Sequence, residues 1–290
     1  VSPMDQTGSK ARWDVIIEPS RAWWRIDARE LWHYRDLLLL MVRRDLLSVY
    51  KQTILGPLWQ VLQPVLTSLM FAITFGLIAR LSLPGIPRIL FYMAAVIPWT
   101  LFSNIVLRTS QTLIWNASLM SRVYFPRLLA PIATSLGTMV SFLIQLAAFV
   151  VIALGYRWSG SYKWVPDGSI LLLPLVLALM TLLAFGLGIL VAALTTKFRD
   201  LTFLLTFGIQ LLMFMSPVIF PLGILEKGTL LHTVIRSNPM TPVLEAFRAM
   251  LLGTGMDWGG LLYTTCFTVV TLIIGLVVFQ RVQRSFADVI

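Results

Sequence analysis

"GSILLLPLVLALMTLLAFGLGILVAALTT" (168–196) runs for 29 residues without an Asp, Glu, Lys or Arg. Only "KFRD" (197–200) separates it from a second charge-free run, 201–225. Since about 20 apolar residues in a helix cross a bilayer, each run is long enough to span. Four further charge-free stretches lie outward of this pair: 52–79, 89–107, 128–156 and 258–280. The shortest of the six, 89–107, still has 19 residues. The chain is 58% hydrophobic with a mean hydropathy of +0.83, well above a soluble domain. The fold class expected is therefore all-α and integral to a membrane, with six transmembrane helices.

The single cysteine, Cys266, lies in the last run and excludes an intramolecular disulfide framework. Charges from Asp5 to Asp27 interrupt the start of the chain, which does not read as a cleaved signal peptide. Six spans place both termini on one side. With the termini inside, the short loops carry seven Lys/Arg on each face, a tie. Three of the outer seven (Lys227, Arg236, Arg248) sit in the longest loop, where charge counts for less, and Arg43, Arg44 and Lys51 precede the first span. Both facts favour cytoplasmic termini. The net charge of +10 suits anionic lipid headgroups, because no basic cluster is dense enough for nucleic acid.

Charge patterning divides the chain into a polar lead (1–27), an amphipathic interface helix (28–56), a six-helix transmembrane domain (57–285) and a tail (286–290). In the second segment charges recur near every seventh residue, at Arg29, Asp36, Arg43 and Lys51, between Leu31, Leu38, Val42 and Leu46. That pattern predicts a helix lying along the inner interface. Gly56-Pro57 ends it, and Pro98 is expected to kink the second span. After the fifth run, "SPVIFP" places Pro217 and Pro221 four residues apart, and "SNPMTPVLEAFRAMLLG" follows. Pro242 suits a first helical position, with Glu245 in the first turn and Arg248 three residues on. From Pro242 to Leu252 such a helix would extend only about 16 Å, too short to cross. A re-entrant half-helix beside a cavity is expected, and a folded loop closing the bundle is the plainer alternative.

The missing motifs narrow the function. No lysine is followed by Ser or Thr, so a Walker A phosphate cradle is excluded from these residues. His33 and His232 are far apart, no cluster has metal-ligand spacing, and the spans lack the carboxylates of proton relays. A transport subunit driven by a separate ATPase, an enzyme of lipid-linked sugars and a scaffold all remain open on this ground. The enzyme reading has only the scattered Asp200, Glu226, Glu245 and Asp257 to draw on.

Four segments, in order, resemble the transmembrane subunits of type-2 ABC exporters, in the polysaccharide and O-antigen branch. They are "RDLLSVYKQTILGPLWQVLQP" (44–64), "AAVIPWTLFSN" (94–104), "NASLMSRVYFPRLLAPIA" (116–133) and "SPVIFP" with "NPMTPVLEAFRAMLL" (216–221, 238–252). The resemblance implies a channel-forming permease of the bacterial cytoplasmic (inner) membrane, not an enzyme. It would be paired with a second copy and with two cytoplasmic ATP-binding subunits that carry ATP and Mg; no cofactor or metal is expected in this chain. The implied cargo is a polyprenyl- or otherwise lipid-linked glycan, with a drug or simple lipid as the alternative. The resemblance also makes Pro217, Pro221, Asn238, Pro239, Glu245 and Arg248 the outer gate.

A glycan path would be lined by aromatics, which hold sugars weakly and without sequence preference. Trp59, Phe71, Phe75, Tyr92, Trp99 and Phe102 are the candidates. Between the second and third spans, Asn116 is placed to cap a short helix on which Leu119, Met120, Val123 and Tyr124 share an apolar face. In a chain without an ATP site, the natural cover for that face is the ATPase. The segment, with Phe125 and Arg127, is read as a coupling helix, and an interfacial turn is the alternative. Arg122 and Arg127 would then meet either headgroups or a phosphate.

Overall fold

The computed structural model describes residues 28–50, 55, 56, 58–79, 81, 83–120, 122, 124–163, 168–195, 198 and 200–286. The lead (1–27), residues 287–290 of the tail, Pro57 and Val123 lie outside the described residues, and so do the expectations placed on them. Among the described residues every regular element is helical. Two N-terminal helices, α1 (Ala28–His33) and α2 (Arg35–Tyr50), are followed by α3 (Leu58–Phe71), which runs on as a π-helical stretch, Ala72–Ile78. Next come α4 (Arg88–Ser110) and two single turns, α5 (Thr112–Trp115) and α6 (Ala117–Met120). The long helices α7 (Leu129–Trp158) and α8 (Leu173–Thr195, with a 3-10 lead-in Gly168–Leu172) then precede α9 (Leu201–Phe214). Two short helices, α10 (Leu230–Ser237) and α11 (Met240–Leu252), lead into the final α12 (Trp258–Phe286).

Five helices are long and apolar enough to cross a membrane: Leu58–Ile78, Arg88–Ser110, Leu129–Trp158, Gly168–Thr195 and Trp258–Val282. The run expected to form the fifth span behaves differently. Its α-helix stops at Phe214 after 14 residues, roughly 21 Å. Pro217 has no N–H to continue the ladder and disfavours helical geometry at Ser216. The chain turns there instead, with the Met215 N–H donating to Leu211 O at 3.2 Å and the Ser216 hydroxyl to Leu212 O at 2.7 Å. The expected kink residue Pro98 lies within an uninterrupted α4.

α4 is the hub. It is apolar around its whole circumference, and every residue from Leu90 to Trp99 is buried against α3, α7, α8 or α11. Helices this apolar approach closely where side chains are smallest. At the α8–α12 crossing, a Cβ on Gly275 would stand 2.6 Å from Gly186 O, and one on Gly186 would stand 3.1 Å from the Leu272 backbone. At the α4–α8 crossing a Cβ on Gly188 would meet the Thr109 side chain at 2.7 Å. Thr195 then donates its hydroxyl to Ser110 O at 2.9 Å, fixing these two helix ends together.

The exterior is as apolar as the core. Phe203, Leu204 and Phe207 on α9 and Leu262, Val270 and Ile273 on α12 all stand exposed. Apolar surface on that scale suits lipid rather than water. The chain passes up and down, so its connections fall at two opposite ends. One end gathers residues 110–120, 124–128 and 195 with α2; the other gathers residues 83–87 with α10 and α11.

α2 has apolar residues on two sides. Met41 is buried in a small second core with Phe125, Leu129, Ala130 and Ala133, flanked by Leu37, Leu38 and Val42. Leu39, Leu40 and Leu47 face outward and are exposed. One side therefore docks on the bundle while the other is free for lipid, which fits an interface helix.

Candidate functional site

The strongest polar constellation lies at the α10–α11 end and centres on Arg248. α11 spans 13 residues, and all of them except Glu245 are buried. Gly253, with φ 74°, takes the left-handed position that stops the helix, and its N–H donates to Ala249 O at 2.8 Å. Arg248 is 1% exposed. Its Nη2 donates to Val218 O at 2.8 Å, and its Nη1 donates to Phe220 O at 3.3 Å and to Glu245 Oε1 at 3.0 Å. The guanidinium carbon lies 4.2 Å from the centroid of the Phe91 ring on α4. Nε is buried without a hydrogen-bond partner among the described residues. A buried guanidinium needs partners on several sides, and here three segments supply them: the Pro217–Pro221 turn, α11 and α4.

The other residues expected at this end join the same cluster. Asn238 donates through Nδ2 to Ser216 Oγ at 2.9 Å, while its Oδ1 accepts from the Met240 N–H at 3.0 Å. It thus ties the turn after α9 to the start of α11. Pro217 and Pro221 are buried, and Pro239 forms the N-cap position of α11. Pro242, expected at the first helical position, sits one turn further in. Several partners were not apparent from the sequence. Thr241 donates to Ile235 O at 2.6 Å, Tyr263 to Ser237 O at 2.7 Å and Thr264 to Pro239 O at 2.9 Å. The two residues from α12 lock α10 and α11 onto the last helix. A proline-rich loop followed by hydroxyl residues carries no pairing signal that sequence alone could resolve.

At the opposite end, the segment expected to meet an ATPase is partly covered by its own chain. Leu119, Met120 and Phe125 pack into the second core against α1 and α2. Of the expected apolar face, Leu119 and Met120 thus meet the chain's own N-terminal helices, while Val123 lies outside the described residues. Tyr124 is 60% exposed, and Ile114 and Trp115 beside it are exposed as well. The helix of the expected segment is one turn, Ala117–Met120. The Asn116 side chain donates to Thr112 O at 2.9 Å and accepts from Arg44 Nη2 on α2 at 3.0 Å. Arg44 is also paired with Asp45 at 2.9 Å. Arg127 is half-buried, and desolvation pushes its pKa below the ordinary arginine value. Arg44→Ala is expected to release this link at a cost of about 1 kcal/mol. Hydrogen exchange of the 112–120 amides should then speed up; unchanged protection would argue against the link.

The six aromatics divide. Trp59 is 52% exposed, and Phe71 and Phe75 are half-buried and stacked edge-on at 5.6 Å. Tyr92, Trp99 and Phe102 are packed in the protomer's interior, Tyr92 donating to Leu81 O at 2.8 Å. Buried rings offer no face to a passing polymer, so a lining in this conformation reduces to Trp59, Phe71 and Phe75. Phe71 directly precedes the π-helical stretch and Phe75 lies within it. Gly76 within it lets α3 close on α4, since a Cβ there would meet Arg88 Cδ at 2.9 Å.

The described residues thus form a bundle of five long apolar helices, a buried short helix clamped by arginine and a polar loop beside α2. Among the described residues no three His, Cys, Asp or Glu side chains come together. The sequence matches the ABC-2 type transporter family over residues 36–252. The chain belongs to that family. It is a multi-pass membrane protein, and its relatives are transport permeases. It is similar to the O-antigen export system permease protein RfbA of Myxococcus xanthus, with 26% identity over 90% of this chain and 97% of the relative. A protein of the same name from Klebsiella pneumoniae is 24% identical over 88% of this chain and 95% of its own length. The polysialic acid transport protein KpsM of Escherichia coli is 28% identical, covering 83% and 92%. The matched region runs from α2 to the last residue of α11, so both polar ends of the transporter fall inside it.

Proposed function

We propose that this chain is the channel-forming subunit of an ATP-driven exporter that carries a lipid-linked polysaccharide across the bacterial cytoplasmic membrane. The observation that carries this reading is the agreement among relatives. Those named for O-antigen export and for polysialic acid transport each align over most of the chain. The cargoes in those names share the character of a surface glycan chain. In this reading two copies pair, and each engages one ATP-binding subunit that holds ATP and Mg.

α9 and the Ser216–Pro221 turn together make the fifth of six passes, and both termini face the cytoplasm. The α10–α11 end is then external. The Arg248 cluster supports a gate there, because one buried cation ties the turn, the short helix and the central α4 into a unit that moves together. At the other end the ATPase meets Tyr124, Trp115 and Ile114, and Arg44–Asn116 carries the push to α2. Trp59, Phe71 and Phe75 serve the sugar path.

Co-purification with a co-expressed ATP-binding subunit tests the reading. ATP hydrolysis should rise on addition of lipid-linked glycan and stay flat with the unglycosylated lipid. Tyr124→Asp puts a charge on the exposed ring position and should cut that stimulation about tenfold while the chain still folds, since like placement of a buried charge costs more than 1 kcal/mol. Undiminished stimulation in the variant would remove Tyr124 from the contact.

A further inference from the structure

At the α10–α11 end, outside the Arg248 cluster, lies a cavity of about 440 Å³ between α10, α11 and the first turns of α12. His232 and Arg236 line it from α10, one helical turn apart and so on one face. Ser237, Gly259, Gly260 and Tyr263 complete the wall. The floor is open because it is glycine. A Cβ on Gly260 would strike Pro242 at 2.9 Å, whereas one on Gly259 would meet nothing closer than Asp257 Oδ1 at 3.6 Å.

The donors in this cavity are in excess. The His232 ring makes no hydrogen bond among the described residues; only its backbone N–H is used, by the Thr229 hydroxyl at 3.3 Å. Arg236 reaches only Asp257, at a loose 3.7 Å, and Asp257 Oδ1 already accepts from the Gly260 N–H at 3.1 Å. A guanidinium with an open edge and an imidazole N–H converge on one space, and the Tyr263 and Ser237 oxygens border it. Outside the cavity lining, the same two helices carry exposed apolar side chains, Leu230, Leu231 and Val234 on α10 and Leu262 on α12. An anionic head with an attached hydrocarbon chain fits both parts.

We propose that this cavity binds the phosphate of a lipid headgroup, with Arg236 as its bidentate partner, His232 as a second donor and the chain leaving toward the exposed apolar side chains of α10 and α12. The phosphate could belong to a bilayer phospholipid or to a prenyl pyrophosphate carrier. The binding chemistry is the same for both, and it stands apart from the choice of exported polymer. Failure of glycan export would leave it intact, and its own failure would leave export intact.

Native mass spectrometry of the full chain in neutral micelles, with dioctanoyl phosphatidylglycerol, geranyl pyrophosphate and dioctanoylglycerol as probes, decides the matter. Both phosphate lipids should bind, and dioctanoylglycerol should not. Removing both donors with His232→Ala and Arg236→Ala together should weaken phosphate binding by about tenfold or more. Gly259→Leu fills the cavity and leaves both donors in place, and it should have the same effect. It also decides the outcome alone if the double variant does not fold. A tenfold preference between the two phosphate probes names the source. Phosphate-lipid binding that is unchanged in Gly259→Leu, or dioctanoylglycerol binding as tightly as the phosphate lipids, overturns the proposal.

Discussion

Arg248→Met is expected to destabilise the transporter by about 3–5 kcal/mol and to abolish export. The cost is that of breaking a buried pair by removing one partner. The Val218 and Phe220 carbonyls and the Glu245 carboxylate would each lose a donor. The cation over the Phe91 ring would be lost with them. This side chain and Asn238 hydrogen-bond the turn after α9 to α11 and its N-terminal approach. Thermal unfolding of the purified chain measures the loss directly. Arg248→Lys keeps the charge and gives up the fork, so it should fall between wild type and the methionine variant. Glu245 is one-quarter exposed, and Glu245→Gln should cost less than either change at Arg248. A methionine variant that melts with wild type would mean that the cap is held by packing alone.

Gly275→Leu should fail to give a folded transporter. Even the first carbon of a side chain there would stand 2.6 Å from Gly186 O and 3.0 Å from Ile189 Cγ1. A backbone oxygen cannot rotate away, so α8 and α12 must separate along the most extensive helix pair in the molecule. Overpacking costs roughly 1–3 kcal/mol even where side chains can yield, and at a backbone contact the cost is larger. Gly188→Ala adds a single carbon 2.7 Å from Thr109 Cβ, an atom that no rotamer moves, so α4 and α8 must part slightly; with so small a side chain the melting temperature should fall while the fold is kept. Fluorescence-detected gel filtration of the two variants separates these outcomes. A monodisperse, full-yield Gly275→Leu protein would contradict the crossing described.

How far these features were legible in the sequence follows from their physics. Absence of charge over about 20 residues is a one-dimensional property, so the runs that became α3, α4, α7, α8 and α12 could be read directly. The 201–225 run holds a helix of only 14 residues, shorter than the run itself, because charge counting does not register that Pro217 ends a helix. The C-terminal end of α11 was readable from Gly253, which marks a helix end locally, whereas its start lies at Met240, two residues ahead of Pro242. The burial of Arg248 was not, because its carbonyl partners come from residues 28 and 30 positions away. Pairing with Glu245, three residues earlier, was visible. In the same way Asn116 looked like a helix cap, and its link to Arg44, 72 residues away, required the fold. The aromatic set was chosen by residue type. Exposure then separated Trp59 from Tyr92, Trp99 and Phe102, which composition could not do.

The central claim is that this chain moves a lipid-linked polysaccharide under the control of a separate ATPase. The most direct measurement reconstitutes the chain with an ATP-binding subunit in sealed vesicles and follows glycan protected from an external glycosidase. The account predicts ATP-dependent protection of the glycan-bearing lipid, lost with Arg248→Met and with a hydrolysis-deficient ATPase. Equal protection without ATP, or ATP-driven movement of the bare lipid with the glycan left behind, would contradict it.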